Sequence, residues 1–262
     1  MSLNAGIRPQ VPTLYLVGLP GLPEVEAGDD LVALVVQAAR HAALEVAAHD
    51  VFVITQKVVS KAEGRLVRLD TVEPSAIARQ WSTVSGKDAR VVELVLRESV
   101  RIVRMDRGVV IAETRHGFVC ANAGVDTSNV PDGWAALLPE DADASARRIR
   151  DGLGAAFGCP VAVIVTDTFG RAWREGQTNV AIGLAGLSPI LDYRGRRDAH
   201  GHTLQATAIA VADELAAAAE LVMGKTRGVP VAVVKGGGDI GLITGDGSAG
   251  ELRRRPEEDL FR

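Results

Sequence analysis

The chain has 262 residues and a mass of 27.5 kDa, with 47% hydrophobic and 24% charged residues. That composition buries the core of one large domain or two small interlocked ones and excludes a fibre or a tail. Twenty-nine basic against 33 acidic side chains give a net charge of -4 with the signs interspersed, which excludes the broad basic field of a nucleic-acid binder.

Residues 1–10 show no periodicity and read as a disordered leader, leaving one domain over 11–262. The apolar stretch 11–17 is short and runs into Pro20 and Pro23, so neither a signal peptide nor a membrane span is expected, and the protein reads as cytoplasmic. A strand is predicted over 13–17, then a helix capped by Asp29 or Asp30 and running to about residue 48, with Leu31, Leu34, Val35, Ala38 and Ala42 at helical spacing. A strand over 51–55 comes next. Ser75 and Asp88 each open a helix, residues 100–103 return to strand, and 109–113 with 117–121 form a hairpin about Thr114-Arg115-His116. The turn-rich stretch 126–141 is the expected seam if two lobes interlock. Beyond it come a helix over 142–157, a buried strand over 161–166, a long Gly- and Arg-rich loop, an Ala-rich helix over 203–223 and a strand over 229–234. Hairpins and crossovers together predict an α+β fold with a mixed sheet and helices. Cys120 and Cys159 lack CxxC spacing and read as reduced core residues.

Asp167 and Thr168 come directly after the apolar run 161–166, and Asp126 comes after Ala123-Gly124-Val125 with Asn129 three residues on. Carboxylates and a hydroxyl at strand ends supply the hard oxygens that hold Mg²⁺ or Mn²⁺ with a phosphate; the alternative for Asp167 is a simple turn before Gly170. Arg171, Arg174, Gln177 and Asn179 surround Trp173 in the next stretch, a composition suited to an anionic ligand. Lys57 and Lys61 add positive charge beside Gln56. Gly224-Lys225-Thr226 is not a phosphate-binding P-loop: the glycine needed five residues earlier is Ala219, and the order is helix then strand. An αL cap at Gly224 explains that glycine. Asp198, His200 and His202 form a D-x-H-x-H group that offers the rival reading of a metal-dependent hydrolase. Arg253-Arg254-Arg255 before Glu257-Glu258-Asp259 reads as a self-neutralised solvated end.

Several of these segments, taken in order, resemble the coenzyme F-420:L-glutamate ligase family: Gly21-Leu22-Pro23-Glu24-Val25 leading to Gly28-Asp29-Asp30-Leu31, Gln56-Lys57-Val58-Val59-Ser60-Lys61-Ala62-Glu63-Gly64, Gly124-Val125-Asp126 to Asn129, and Thr166-Asp167-Thr168 to Trp173-Arg174 with Gly176-Gln177-Thr178. The resemblance implies a gamma-glutamyl ligase-like α+β fold in an intertwined homodimer. It further implies GTP-dependent addition of L-glutamate, through γ-linked amides and an acyl phosphate, to the deazaflavin coenzyme precursor, with two Mg²⁺ or Mn²⁺ per site and K⁺. By the same resemblance Leu22, Pro23, Glu24, Val25, Gln56, Lys61 and Asn129 match nucleotide-contacting positions, as do Met223, Gly224, Lys225 and Thr226 in the segment 223–230. Asp126, Asp167 and Thr168 match metal ligands, and Arg171 and Arg174 are the candidates for gripping the acceptor or glutamate. Lys225 stands where some members have a metal-binding Gln, and a cation cannot ligate a cation. The nitroreductase-like domain carried by some relatives is not expected here. A non-catalytic nucleotide-binding module is the other alternative.

Overall fold

Residues 51–54, 162–165 and 231–234 are apolar at every position, and such runs are buried fully only in strands covered on both faces. All three are so buried in the computed structural model, which describes residues 11–259. In chain order the first half forms β1 (Tyr15–Leu19), α1 (Leu31–His41), β2 (Val51–Thr55), α2 (Gln56–Ala62), β3 (Leu66–Arg68), α3 (Ala76–Ser85), α4 (Ala89–Glu98), β4 (Ser99–Asp106), β5 (Val109–Thr114) and β6 (Val119–Ala121). The second half forms β7 (Trp134–Ala136), α5 (Ala142–Phe157), β8 (Ala162–Arg171), β9 (Arg174–Ala185), β10 (Leu191–Asp192), β11 (Ala208–Ile209), α6 (Val211–Met223) and β12 (Val231–Lys235).

The main sheet has the order β1-β12-β2-β8-β9. β2 and β8 run parallel and every other pairing in it is antiparallel, so the sheet is mixed and the α+β expectation holds. The two-residue period of each strand divides the core. Phe52, Ile54, Val163, Val165, Val231 and Val233 face α1 and α5, whereas Val51, Val53, Ala162, Ile164, Ala232 and Val234 face Leu215, Ala216 and Ala219 of α6. A third cluster joins α4 to the antiparallel β4-β5-β6 sheet through Leu94, Val95, Val110 and Ala112, and takes in Ala123 and Val125, next to Asp126.

Strand 51–55 and helix 142–157 lie where the sequence predicts them. Four segments differ. α1 ends at His41, well short of residue 48, because Ala43 turns left-handed (φ 48) and closes the helix: Ala43 N donates to the Arg40 carbonyl and Leu44 N to that of Ala39. This is a Schellman closure made with alanine in the position that glycine usually takes, so the sequence carries no stop signal there. The Gly- and Arg-rich stretch after 166 is a long hairpin of β8 with β9, and residues 203–210 hold β11 and a bridge from Thr203 to Arg197 before α6 begins. The stretch 126–141 contains β7, which pairs with β3.

The leader 1–10 lies outside the described residues. Both cysteines are free, Cys120 buried and Cys159 half-buried. Arg253, expected among a solvated tail, donates to the His116 carbonyl at 2.7 Å, and Arg255 lies 4.0 Å from Glu258. No helix among the described residues is long and apolar enough to cross a membrane.

Because the exposed Ala43 holds a conformation that disfavours a Cβ, Ala43→Gly raises stability by about 0.5–1 kcal/mol, read as a higher urea midpoint with an unchanged slope.

Candidate active site at the ends of two parallel strands

Thr55 of β2 pairs in register with Thr166 of β8, so both strands point their C-terminal ends, and the residues just beyond them, to the same edge of the sheet. β2 passes into α2 without a linker, which places Lys57 just beyond that edge. β8 runs on to Asp167. Asp126 comes from a third direction, on a turn in which Asn122, Ala123 and Gly124 all have positive φ (53, 50 and 73). The turn is pinned by Asp126 N to the Ala136 carbonyl (3.0 Å) and Ala136 N to the Asp126 carbonyl (2.8 Å). Gly124 is required there: a Cβ would lie 2.6 Å from Leu138 Cγ.

Lys57 Nζ donates to Asp126 Oδ2 at 2.6 Å, to the Ser128 carbonyl at 2.5 Å and to Ser128 Oγ at 3.1 Å. Ser128 in turn donates its N–H to Asp126 Oδ1 (2.7 Å) and its hydroxyl to Oδ2 (2.9 Å). Burial pushes the Asp126 carboxyl up, but the Lys57 and Ser128 hydrogen bonds outweigh it and hold the group below its ordinary value. Asp167 goes the other way, from 3.8 to about 6. Burial is the main cause, with the Asp126 charge adding to it against the Thr168 N–H and the charges of Lys57 and Lys225. Buried Cys120 stands near, its thiol pushed up to about 12 by burial and by the Asp167 charge.

Strand alternation puts Asp167 on the β8 face shared with Val163 and Val165, and Thr168 on the opposite face, toward α6. Thr168 pairs across the hairpin with Asn179 and donates its hydroxyl to Asn179 Oδ1 at 2.7 Å. Asn179 Nδ2 donates to Glu220 Oε2 at 3.0 Å. Lys225 Nζ donates to Thr168 Oγ1 and lies 3.5 Å from Glu220 Oε1. Gly224 ends α6 with φ 63 and ψ 170, not the αL cap expected, and that extended positive-φ conformation belongs to glycine.

The remaining predicted residues are spread more widely. Lys61 is buried and ion-paired with exposed Glu24, which ties the loop of Leu22, Pro23 and Val25 to α2; Val25 itself is buried in the core. Gln56 is buried, its Oε1 accepting from Ser60 Oγ at 2.9 Å. Met223 is buried in the α6 core cluster, whereas Thr226 and Asn129 are exposed. Arg171 and Arg174 flank the exposed tip of the β8–β9 hairpin and are not beside Asp167: Arg171 lies four positions further along the strand, about 13 Å away. The Arg171 guanidinium donates to the Glu175 and Gly176 carbonyls of its own turn. Asp198 accepts from the His200 and His202 backbone N–H groups, both at 2.8 Å, and so closes its loop. No group of three or more His, Cys, Asp and Glu among the described residues is arranged to hold a metal, so Asp198, His200 and His202 do not form a three-ligand set. Ser128 and Glu220 were not singled out by the sequence. Asn179 was among the residues read as suited to an anionic ligand, but Glu220 reads as an ordinary helix charge.

A carboxyl raised in the folded state binds its proton more tightly folded than unfolded. Its contribution to stability is therefore full below about 3.8 and is lost as pH rises to about 6. With chelator present, Asp167→Asn is expected to exceed the parent in stability above pH 6 by roughly 1–3 kcal/mol, the difference vanishing near pH 4 in urea titrations.

Residues 21–236 match the family described as F420-0:gamma-glutamyl ligase. Among similar proteins, the coenzyme F420:L-glutamate ligase of Methanothermobacter thermautotrophicus is 47% identical over 250 residues, 95% of this chain and 99% of that one. The protein of the same name from Methanopyrus kandleri is 45% identical over 254 residues, 96% and 99% of the two chains, and that from Methanocaldococcus jannaschii is 40% identical over 214 residues, 81% and 84%. With the site drawn from segments inside the matched span, the chain belongs to the F420-0:gamma-glutamyl ligase family.

Proposed function

We propose that the protein is a cytoplasmic, homodimeric ligase that adds L-glutamate through γ-linked amide bonds to the coenzyme F420 precursor, with GTP as the activating substrate. One observation carries the reading. Lys57, Asp126 and Asp167, from three separate segments of a chain in this family, converge at the ends of β2 and β8.

A carboxylate is a poor acceptor for an amine, so it is activated first. An oxygen of the precursor carboxylate bonds to the γ-phosphorus, the bond to the β,γ-bridging oxygen breaks and GDP leaves, giving an acyl phosphate. The glutamate amine then bonds to the acyl carbon, loses its proton, and inorganic phosphate departs. The site must therefore hold a polyanion without neutralising the carboxylate oxygen that attacks.

The donor set fits a hard divalent cation: two carboxylates, one of them raised by burial beside the other, form a place where added positive charge relieves an unfavourable field. Mg²⁺ or Mn²⁺ bound there supplies charge neutralisation for the transferring phosphoryl group. Lys57, released from Asp126, turns its ammonium to a phosphate oxygen. The Glu24–Lys61 ion pair ties the loop 22–25, assigned here to the nucleotide, to α2. Arg171 and Arg174, at the hairpin tip, meet the anionic acceptor or the incoming glutamate at a distance from the phosphates.

Mass spectrometry of the deglutamylated precursor, incubated with the protein, GTP, Mn²⁺ and L-glutamate and with each omitted in turn, is expected to show a gain of one or more glutamyl units only in the complete mixture. GTP binding with no mass gain would leave a nucleotide-binding module and overturn the ligase. Asp126→Ala is expected to lose turnover by about 10²–10³-fold while keeping its circular dichroism spectrum, as removal of a charge-holding group at a phosphoryl-transfer site does. Full activity in that variant would remove Asp126 from the site.

A further inference from the structure

We infer that Lys225 is a fixed cation of the phosphate site, and that this active site takes one divalent ion per chain where the family resemblance implies two. The inference rests on the ligase reading and deepens it.

The argument starts from the two faces of β8. On the α2 side, Asp126 and Asp167 offer carboxylate oxygens. On the α6 side, the oxygens within reach of Thr168 belong to a closed ring. Thr168 donates its one hydroxyl proton to Asn179 Oδ1 and accepts from Lys225 Nζ. Asn179, 1% exposed, passes the ring on by donating to Glu220 Oε2, and Glu220 Oε1 faces the Lys225 ammonium again at 3.5 Å. A divalent ion on Thr168 Oγ would sit beside an ammonium already bonded to the same oxygen, and like charges at that separation repel strongly. The donor set on this face does not fit a second metal.

The ammonium itself is well placed to do part of that work. Glu220 fixes it twice: its carbonyl accepts the Gly224 N–H at 2.9 Å, which ends the helix, and its carboxylate faces the next side chain. Gly224, with its glycine-only backbone, lets the chain turn so that Lys225 comes back over β8. Of the three ammonium N–H groups, one goes to Thr168 and one is directed to Glu220. The third remains for a phosphate oxygen on the open side, where 55% of the lysine side chain is exposed. Its charge also acts on Asp167, so both faces of β8 belong to one electrostatic site. Glu220 and Asn179 are positioning residues for it.

The test counts metal ions. Mn²⁺ is titrated into the full chain saturated with the β,γ-imido analogue of GTP, and free Mn²⁺ is read by electron paramagnetic resonance. One Mn²⁺ per chain is expected. Lys225→Met should weaken binding of the analogue at least 10-fold, Lys225→Arg should restore most of the affinity, and Glu220→Gln should weaken it about 3- to 10-fold. Two Mn²⁺ per chain in the parent protein, or unchanged nucleotide affinity in Lys225→Met, would overturn the inference. One Mn²⁺ with no glutamyl transfer overturns the ligase reading alone, two Mn²⁺ with transfer overturns the inference alone, and failure to bind the nucleotide overturns both.

Discussion

The parallel pairing of β2 with β8 is the constraint on which the site depends. Parallel neighbours bring their C-terminal ends to one edge, and here those ends carry Lys57 and Asp167 with no intervening linker. The register matters as much as the direction. Displacing β8 by one residue would send Asp167 to the α6 face and Thr168 to the α2 face, separating the two carboxylates and breaking the ring around Lys225. The four-residue runs of buried side chains on both strands, with β12 and β9 bonded on either side, make such a slip expose core to water and bury polar groups in its place.

Around that edge, charge is arranged by face. Asp126 is kept ionised by hydrogen bonds from Lys57 and Ser128, while Asp167 is held where ionisation is unfavourable. The two carboxylates are thus unlike, although the sequence presents them alike, each at the end of an apolar run. Lys57 and Ser128 hydrogen-bond the Asp126 carboxylate, so its charge is met within the protein; under the proposed function a cation at those oxygens would leave the Lys57 ammonium for phosphate. On the other face Lys225 is bonded to a hydroxyl and faces a carboxylate, with its side chain open to the solvent.

Much of this was legible in the sequence, for identifiable reasons. The strand 51–55 read correctly because an unbroken apolar run is a local signal, and the helix 142–157 because it follows directly on a turn-rich stretch; in the structure Asp141 caps that helix, accepting from Ala144 N at 2.8 Å. Asp126 and Asp167 were visible because each interrupts an apolar run. The end of α1 was not, since Ala43 does what a glycine would announce. The β8–β9 hairpin was missed because Gln177, Thr178 and Asn179 look like loop, and only pairing with residues 168–170 makes them strand. Lys225 was seen as an anomaly against the family pattern, but its partners were not: Thr168 is 57 positions away in the chain, and no local rule joins them.

The position of β12 in the sheet bears on how the chain reaches its fold. β12 lies between β1 and β2, so the first strand of the fold is bonded to the last, Tyr15 opposite Lys235. During synthesis β1 has no sheet partner until nearly all of the fold has been made, and β2 carries an open edge for as long. Open apolar edges are templates for pairing with other chains, and contacts this distant in sequence form slowly. A nascent chain of this protein therefore emerges with its central seam unfilled, and the strand that fills it closes both edges at once.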